Sequence, residues 1–191
     1  IVKEFFEKTI KSSHLECRDD HLYVDNSNRS NYIFNPTLNG IEQSDLVLII
    51  GANPRFEATI LNSRIRKSYL NNNLEIFSYG DVGDLTYPYN VLPNDTSEIM
   101  ALINGDSELS KKIISAKKPI VILGQSFFKI KSAQTLFDQL NNFLKSNGKI
   151  NDDWNAIGVI SNHSSTVGAY DLDIINSESN RNSTLEKIQN N

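Results

Sequence analysis

The sequence has a single cysteine, Cys17, and three scattered histidines, His14, His21 and His163. One thiol excludes an internal disulfide, and it excludes an iron–sulfur cluster held by several thiolates of this chain. The histidines lie too far apart in the sequence to show metal-ligand spacing. Long apolar runs are also missing. The longest, Leu46–Ile50, falls far short of the roughly 20 residues that cross a bilayer, so any membrane link is expected through partners. There is no excess of positive charge: the net charge is −4, which argues against a nucleic-acid partner.

What remains suits a folded domain. The 191 residues are 39% hydrophobic and 22% charged, enough for one ordinary domain or two small lobes. Asparagine supplies about one residue in eight, and isoleucine and lysine are abundant. All three have AT-rich codons, which points to a mitochondrial genome or a reduced bacterial one. The chain starts at Ile1 rather than methionine, so a fragment, a split-gene product or a processed start is expected.

Hydrophobic spacing predicts a helix over Ile1–Ile10, then a polar, turn-rich stretch from 11 to 40. Leu46–Ile50 reads as a strand buried on both faces, as in parallel sheets. Residues Arg55–Leu70 read as one amphipathic helix, with Phe56, Ile60, Ile65 and Tyr69 on its apolar stripe and Arg55, Arg64, Arg66 and Lys67 facing solvent. Asn71–Asn73 ends it, and Leu74–Tyr79 is a second strand. Helices follow at Asp95–Asn104 and Glu108–Lys117, then a strand at Pro119–Leu123 and a helix at Ser132–Ser146. Ala156–Ile160 reads as either a strand or a turn of helix. The fold expected is α/β, a doubly wound, mostly parallel, Rossmann-like sheet over residues 1–175. A polar tail, flexible or ordered only on a partner, is expected at 176–191.

The strongest local signal is Gly51-Ala52-Asn53-Pro54 at the carboxyl end of the first strand. Glycine there lets backbone approach a ligand, and the next helix offers free N–H groups to a phosphate; alternatively Gly51 and Pro54 only make the turn. The full G-x-G-x-x-G fingerprint is missing, which argues against an ordinary NAD site. Asp81, after the second strand, stands where a Rossmann domain places an acid on a ribose, although aspartates there are commonly turn formers. Gly124-Gln125-Ser126 makes a similar turn. There is no G-x-S-x-G elbow, and His163 among Ser161, Ser164 and Ser165 reads as a polar loop.

Residues 29–173 resemble the large iron–sulfur subunit of respiratory complex I, the NADH:quinone oxidoreductase of mitochondria and bacteria. The likeness is carried by Arg29-Ser30-Asn31-Tyr32, Gly40–Asp45, Gly51–Ala58, Asn62–Ser68, Asp84–Tyr87, Ala116–Pro119 and Trp154. It is most specific in Asn53-Pro54-Arg55-Phe56-Glu57 with Arg64-Ile65-Arg66-Lys67. The resemblance implies part of a molybdopterin-oxidoreductase-like domain. In active molybdoenzymes such as formate dehydrogenase, the G-x-N-P turn holds a pyranopterin nucleotide. The complex I branch resembles a relic of that fold, and this sequence departs from the active pattern. Gly80-Asp81-Val82-Gly83 replaces an Asp-Pro-Arg grip, Leu92-Pro93-Asn94-Asp95 replaces Pro-Gly-Thr-Asp, and Thr59 stands where proline is common.

The resemblance therefore implies no catalytic or metal residue in this chain and no cofactor on the vestigial turn Gly51, Asn53 and Pro54. The iron–sulfur clusters are expected in the cluster-bearing amino-terminal part of such a subunit. The partners implied are that region and other hydrophilic-arm subunits, with no nucleic acid and only an indirect membrane link. The location implied is the matrix side of the mitochondrial inner membrane, or the cytoplasmic face of a bacterial one. The alternative is an active molybdoenzyme domain with Gly51, Asn53 and Asp81 lining a nucleotide site.

Overall fold

The computed structural model describes residues 1–12, 15, 22–163 and 165–174. Cys17, His14, His21 and the stretch expected as a tail, 176–191, lie outside the described residues. The chain divides into two compact units, residues 1–21 with 163–191, and residues 22–162.

In the first unit, α1 (Val2–Glu4) winds on as a π-helix over Phe5–Ile10, so the helical spacing of this segment is realised with a wider turn. Lys11 ends it in the left-handed conformation, φ 59°. A short helix over Thr166–Asp171 belongs to the same unit, and Lys3 Nζ donates to the Leu172 carbonyl at 2.9 Å.

The second unit is built on a five-stranded parallel sheet: β1 (Leu46–Ile50), β2 (Glu75–Tyr79), β3 (Asn90–Leu92), β4 (Pro119–Leu123) and β5 (Ile157–Val159). The strand order is β3-β2-β1-β4-β5, and every ladder is parallel. The chain therefore runs outward from β1 to one edge, then restarts beside β1 on the other flank. This is the doubly wound arrangement, with its switch point between β1 and β4.

β1 is central, and all five of its residues are buried. Its alternate side chains feed two separate cores. Leu46, Leu48 and Ile50 pack with α4 (Thr96–Asn104), α5 (Glu108–Ser115) and α6 (Ala133–Ser146) through Leu102, Ile113, Leu140 and Leu144. Val47 and Ile49 pack on the opposite face with Ile41, Leu85 and two residues of α3 (Thr59–Asn72), Leu61 and Ile65. A strand covered on both sides must be apolar at every position, and that is why its five residues are Leu, Val and Ile.

Asp95 caps α4 by accepting from the Ser97 N–H at 3.2 Å, and Gly105 closes it at φ 83°. Asn73 ends α3 in the same left-handed region, as the asparagine triplet predicts.

Two expectations need correction. The single helix over Arg55–Leu70 is two helices, α2 (Pro54–Glu57) and α3, separated at Ala58, whose φ −152° and ψ 69° are not helical. That break changes the phase of the apolar stripe. Leu61, Ile65 and Ser68 are the buried line, whereas Phe56 is 81% and Ile60 70% exposed. The edge strand β3 was also unforeseen, because three residues with one β-branched side chain, Val91, carry no periodicity. Ala156–Ile160 resolves as a strand, β5. Its outer edge is met by an antiparallel bridge from Phe34 to Gly158 and by the Val159 N–H bonded to the Ile33 carbonyl at 3.0 Å.

Leu48→Ala should cost about 2–5 kcal/mol of unfolding free energy, because the cavity opens in a fully enclosed core. Urea denaturation of the two proteins checks this. A loss under about 1 kcal/mol would be inconsistent with double-sided burial.

Candidate functional site

In open α/β sheets ligands enter the crevice at the carboxyl ends of the strands flanking the switch point, here β1 and β4. Each of these strands ends on a glycine. Gly51 takes φ 62°, and a Cβ built on it would lie 2.6 Å from the Phe127 backbone nitrogen. Gly124 has no space for a Cβ either, which would strike the Gly51 carbonyl and lie 2.5 Å from Ala52 Cβ. The Gly124 N–H donates to the Ile50 carbonyl at 3.0 Å, and the Phe127 N–H donates to the Gly124 carbonyl at 3.1 Å. The two turns thus pack backbone against backbone, and Phe127 is buried behind them.

Asn53 is the N-cap of α2, and its side-chain amide and N–H are engaged locally. Its Oδ1 accepts from the Arg55 N–H at 3.1 Å, and its Nδ2 donates to the Val82 carbonyl at 2.7 Å. Its own N–H donates to Glu57 Oε1 at 2.9 Å. A carboxylate from the end of the same short helix therefore receives the amide that a ligand phosphate would use. Pro54 sits at the first helical position, where its missing N–H costs nothing.

The loop after β2 is clamped to this turn. Arg55 Nη1 bonds the Asp84 carbonyl at 2.8 Å and Asp84 Oδ2 at 2.5 Å. On α3, Asn62 Nδ2 donates to the Leu85 carbonyl at 2.9 Å, and the buried Tyr87 hydroxyl donates to Asn62 Oδ1 at 2.7 Å. Asp81 is exposed and serves the loop itself: Oδ1 accepts from the Gly83 N–H at 2.8 Å and lies 2.8 Å from the Tyr89 hydroxyl. The turn-forming role weighed for Asp81 is the one these contacts describe.

The helix cations divide. Arg55 is held by Asp84, and Arg64 and Lys67 converge on Glu42, Lys67 at 3.0 Å. Arg66 is exposed. His163 lies in the other unit, and among the described residues no three His, Cys, Asp or Glu side chains could hold a metal ion.

Reasoning from sequence gave no role at the turn to Glu57, Asp84 or Phe127, although Glu57 and Asp84 stand in stretches that carry the resemblance. Glu57 had a readable signal, an acid four residues after an asparagine cap. The roles of Asp84 and Phe127 had none, since only the folded loops bring them to the turn.

These features define a doubly wound α/β domain whose switch-point turn is occupied by its own chain. A family model described as molybdopterin oxidoreductase matches residues 1–190. The chain belongs to the molybdopterin oxidoreductase family. It is 37% identical over 146 residues to the NADH-ubiquinone oxidoreductase 78 kDa subunit of Neurospora crassa, covering 75% of this chain and 19% of that protein. It is 35% identical over 174 residues to the 75 kDa subunit of Reclinomonas americana, covering 89% and 25%. Against the NADH dehydrogenase iron-sulfur protein 1 of Solanum tuberosum the identity is 27% over 164 residues, covering 86% and 22%. The chain thus spans about a fifth to a quarter of the length of these relatives.

At this turn Gly51 abuts the Phe127 backbone, Gly124 abuts Gly51 and Ala52, and the Asn53 amide and N–H are bonded within the chain.

Gly124→Ala should destabilise by at least the upper part of the roughly 1–3 kcal/mol seen for overpacking, because the atoms met are backbone and Cβ with no rotamer to yield. Gly148→Ala is the control. Its Cβ would meet nothing within 4 Å, leaving only the strain of φ 71°, on the order of 1–2 kcal/mol. Thermal melts of both variants check the order; equal losses would mean the turns can separate.

Acid should loosen the same clamps. The Thr86 N–H, and then Arg55, hold the Asp84 carboxyl below its ordinary range; Lys67 and Arg64 do so for Glu42, and the Gly83 N–H and Tyr89 for Asp81. Folded values below unfolded ones mean that this stabilisation is complete above the ordinary carboxylate range of about 4. It is lost as pH falls through the lower folded values. Asp84→Asn should flatten part of the acid limb in a stability-versus-pH series, and an unchanged limb would contradict the assignment.

Proposed function

We propose that the chain is a structural α/β domain of the large iron–sulfur subunit of NADH:quinone oxidoreductase. In this reading it supports electron transfer from NADH to quinone without a redox centre of its own. The observation that carries the proposal is the self-filled switch point. Gly51 and Gly124 abut backbone, and Asn53 is committed to Val82, Arg55 and Glu57.

A domain of this kind acts by rigidity. Two cores clamp one central strand, and side-chain bonds from α2 and α3 hold the following loop. Such a body can fix the spacing of cluster-bearing parts to which it is joined, and electron transfer depends steeply on that spacing. The clusters belong to the rest of the subunit, and the partners are that region and neighbouring hydrophilic-arm subunits. No helix among the described residues is long and apolar enough to cross a membrane, consistent with attachment through those partners. The relatives from Neurospora crassa and Solanum tuberosum are described as mitochondrial, which supports a mitochondrial location, and in this reading the chain sits on the matrix side of the inner membrane.

Elemental analysis and visible spectroscopy of the purified chain test this. The expected result is no molybdenum or tungsten, no bound nucleotide, no iron–sulfur absorption and no NADH oxidation. Molybdenum or tungsten with a bound nucleotide would replace this reading with the molybdoenzyme one.

A further inference from the structure

Asparagine is followed by glycine three times, at Asn39-Gly40, Asn104-Gly105 and Asn147-Gly148. Such a pair is a latent chemical site. The glycine nitrogen has no side chain beside it to hinder approach, so it can attack the preceding side-chain amide carbon and expel ammonia. In a folded chain the reaction depends on whether that nitrogen and that amide are free to meet.

Two of the three pairs sit in the same backbone motif. At the end of α4 the Gly105 N–H donates to the Leu102 carbonyl at 3.1 Å, and the Asp106 N–H to the Ala101 carbonyl at 2.9 Å. At the end of α6 the Gly148 N–H donates to the Lys145 carbonyl at 3.0 Å, and the Lys149 N–H to the Leu144 carbonyl at 2.8 Å. Both glycines are left-handed, φ 83° and 71°, so both ends are Schellman closures. The asparagine side chains set them apart. Asn147 Nδ2 donates to the Phe143 carbonyl at 2.8 Å, which turns its amide back along the helix. Asn104 is exposed, and among the described residues its side chain makes no hydrogen bond. The third pair is closed differently. The Gly40 N–H donates to Thr37 Oγ1 at 3.1 Å, and Gly40 is buried against the Trp154 ring, where a Cβ would lie 3.3 Å from it.

We propose that Asn104 is the site at which this folded chain deamidates spontaneously, with water as the co-reactant. Opening the last turn of α4, a local motion far cheaper than unfolding, frees the Gly105 nitrogen. That nitrogen loses its proton to solvent base and bonds to Asn104 Cγ; the Cγ–Nδ2 bond breaks and ammonia departs, leaving a succinimide ring. Water then adds to one ring carbonyl carbon. Cleavage of the bond from Cγ to nitrogen gives aspartate, and cleavage of the bond from the main-chain carbonyl carbon gives isoaspartate, whose backbone runs through Cγ. Either product places a carboxylate at the carboxyl end of α4, beside Asp106, where the helix dipole disfavours negative charge. The isoaspartyl backbone is also one methylene longer, so the two closing bonds no longer form together. The turn between α4 and α5 therefore loosens as the chain ages.

The test incubates the whole chain in mildly alkaline buffer, folded and in guanidinium chloride. Peptide mapping with fragmentation that separates aspartyl from isoaspartyl residues follows the three pairs. Each folded rate is divided by the rate of the same pair in denaturant, which removes the influence of flanking residues. The ratio for Asn104 should exceed that for Asn147 by roughly two- to tenfold, the factor set by the net worth of one hydrogen bond, and should exceed that for Asn39 as well. Hydrogen exchange at the Asp106 N–H should rise in the aged protein, while that at the Lys149 N–H stays as it was. A ratio for Asn39 or Asn147 equal to or above that for Asn104 would overturn the proposal. So would an Asn104 that reacts in denaturant yet stays intact in the folded chain, or an Asp106 exchange rate that ageing leaves unchanged.

Discussion

The close approach of two backbone turns governs the second unit. Where β1 and β4 end, Gly51 and Gly124 leave no room for a side chain between them, and the Gly124 N–H reaches the Ile50 carbonyl. That contact fixes the register of the two central strands at their carboxyl ends. At the other end Asp45 does the same, accepting from the Lys117 and Lys118 N–H groups at 2.6 and 3.0 Å. With β1 and β4 pinned at both ends, their alternate side chains must feed opposite cores. The helices then have to lie on both faces.

The same contact changes what the turn can do. A glycine at a strand end is conformational freedom that other proteins use for a ligand's close approach. Here Phe127 and Ala52 occupy that space. Once the crevice is filled, the free groups of the first turn need partners from the chain, and they have them: Glu57 for the Asn53 N–H and Val82 for its amide. Arg55 extends the clamp to Asp84, so the loop after β2 is held against the turn. The turn and the loop beside it are thereby held together by the chain's own groups.

Only part of this could be read from residue order. Leu46–Ile50 and Pro119–Leu123 are uninterrupted apolar pentads, and both are strands with those bounds because double-sided burial tolerates nothing else. Caps such as Asp95, Gly105 and Asn73 are local events, governed by neighbours within a few residues, and they fall where their chemistry predicts. The Gly51–Pro54 turn was visible as a turn, and the resemblance named its family. The first half of the Phe56–Tyr69 stripe misled: Ile65 is buried and Tyr69 packs against the same core, but the non-helical Ala58 breaks the helix and Phe56 and Ile60 lie outside. β3 was invisible, since an edge strand of three residues needs only a neighbour to pair with and no pattern of its own.

The sequence by itself determined the class of fold and the location of its core, because hydrophobic periodicity and capping act over distances of a few residues. Tertiary structure alone decided whether the switch-point turn is open or filled. That outcome depends on Gly124 and Phe127 arriving from far along the chain to meet Gly51, and on Asp84 meeting Arg55 across a loop. It also decided which apolar residues were left outside: Ile60 and Leu38 resemble core residues in the sequence, and only packing around α3 showed them uncovered beside Glu57. Contacts between distant segments are set by the geometry of the whole sheet, and no short window of residues contains that geometry.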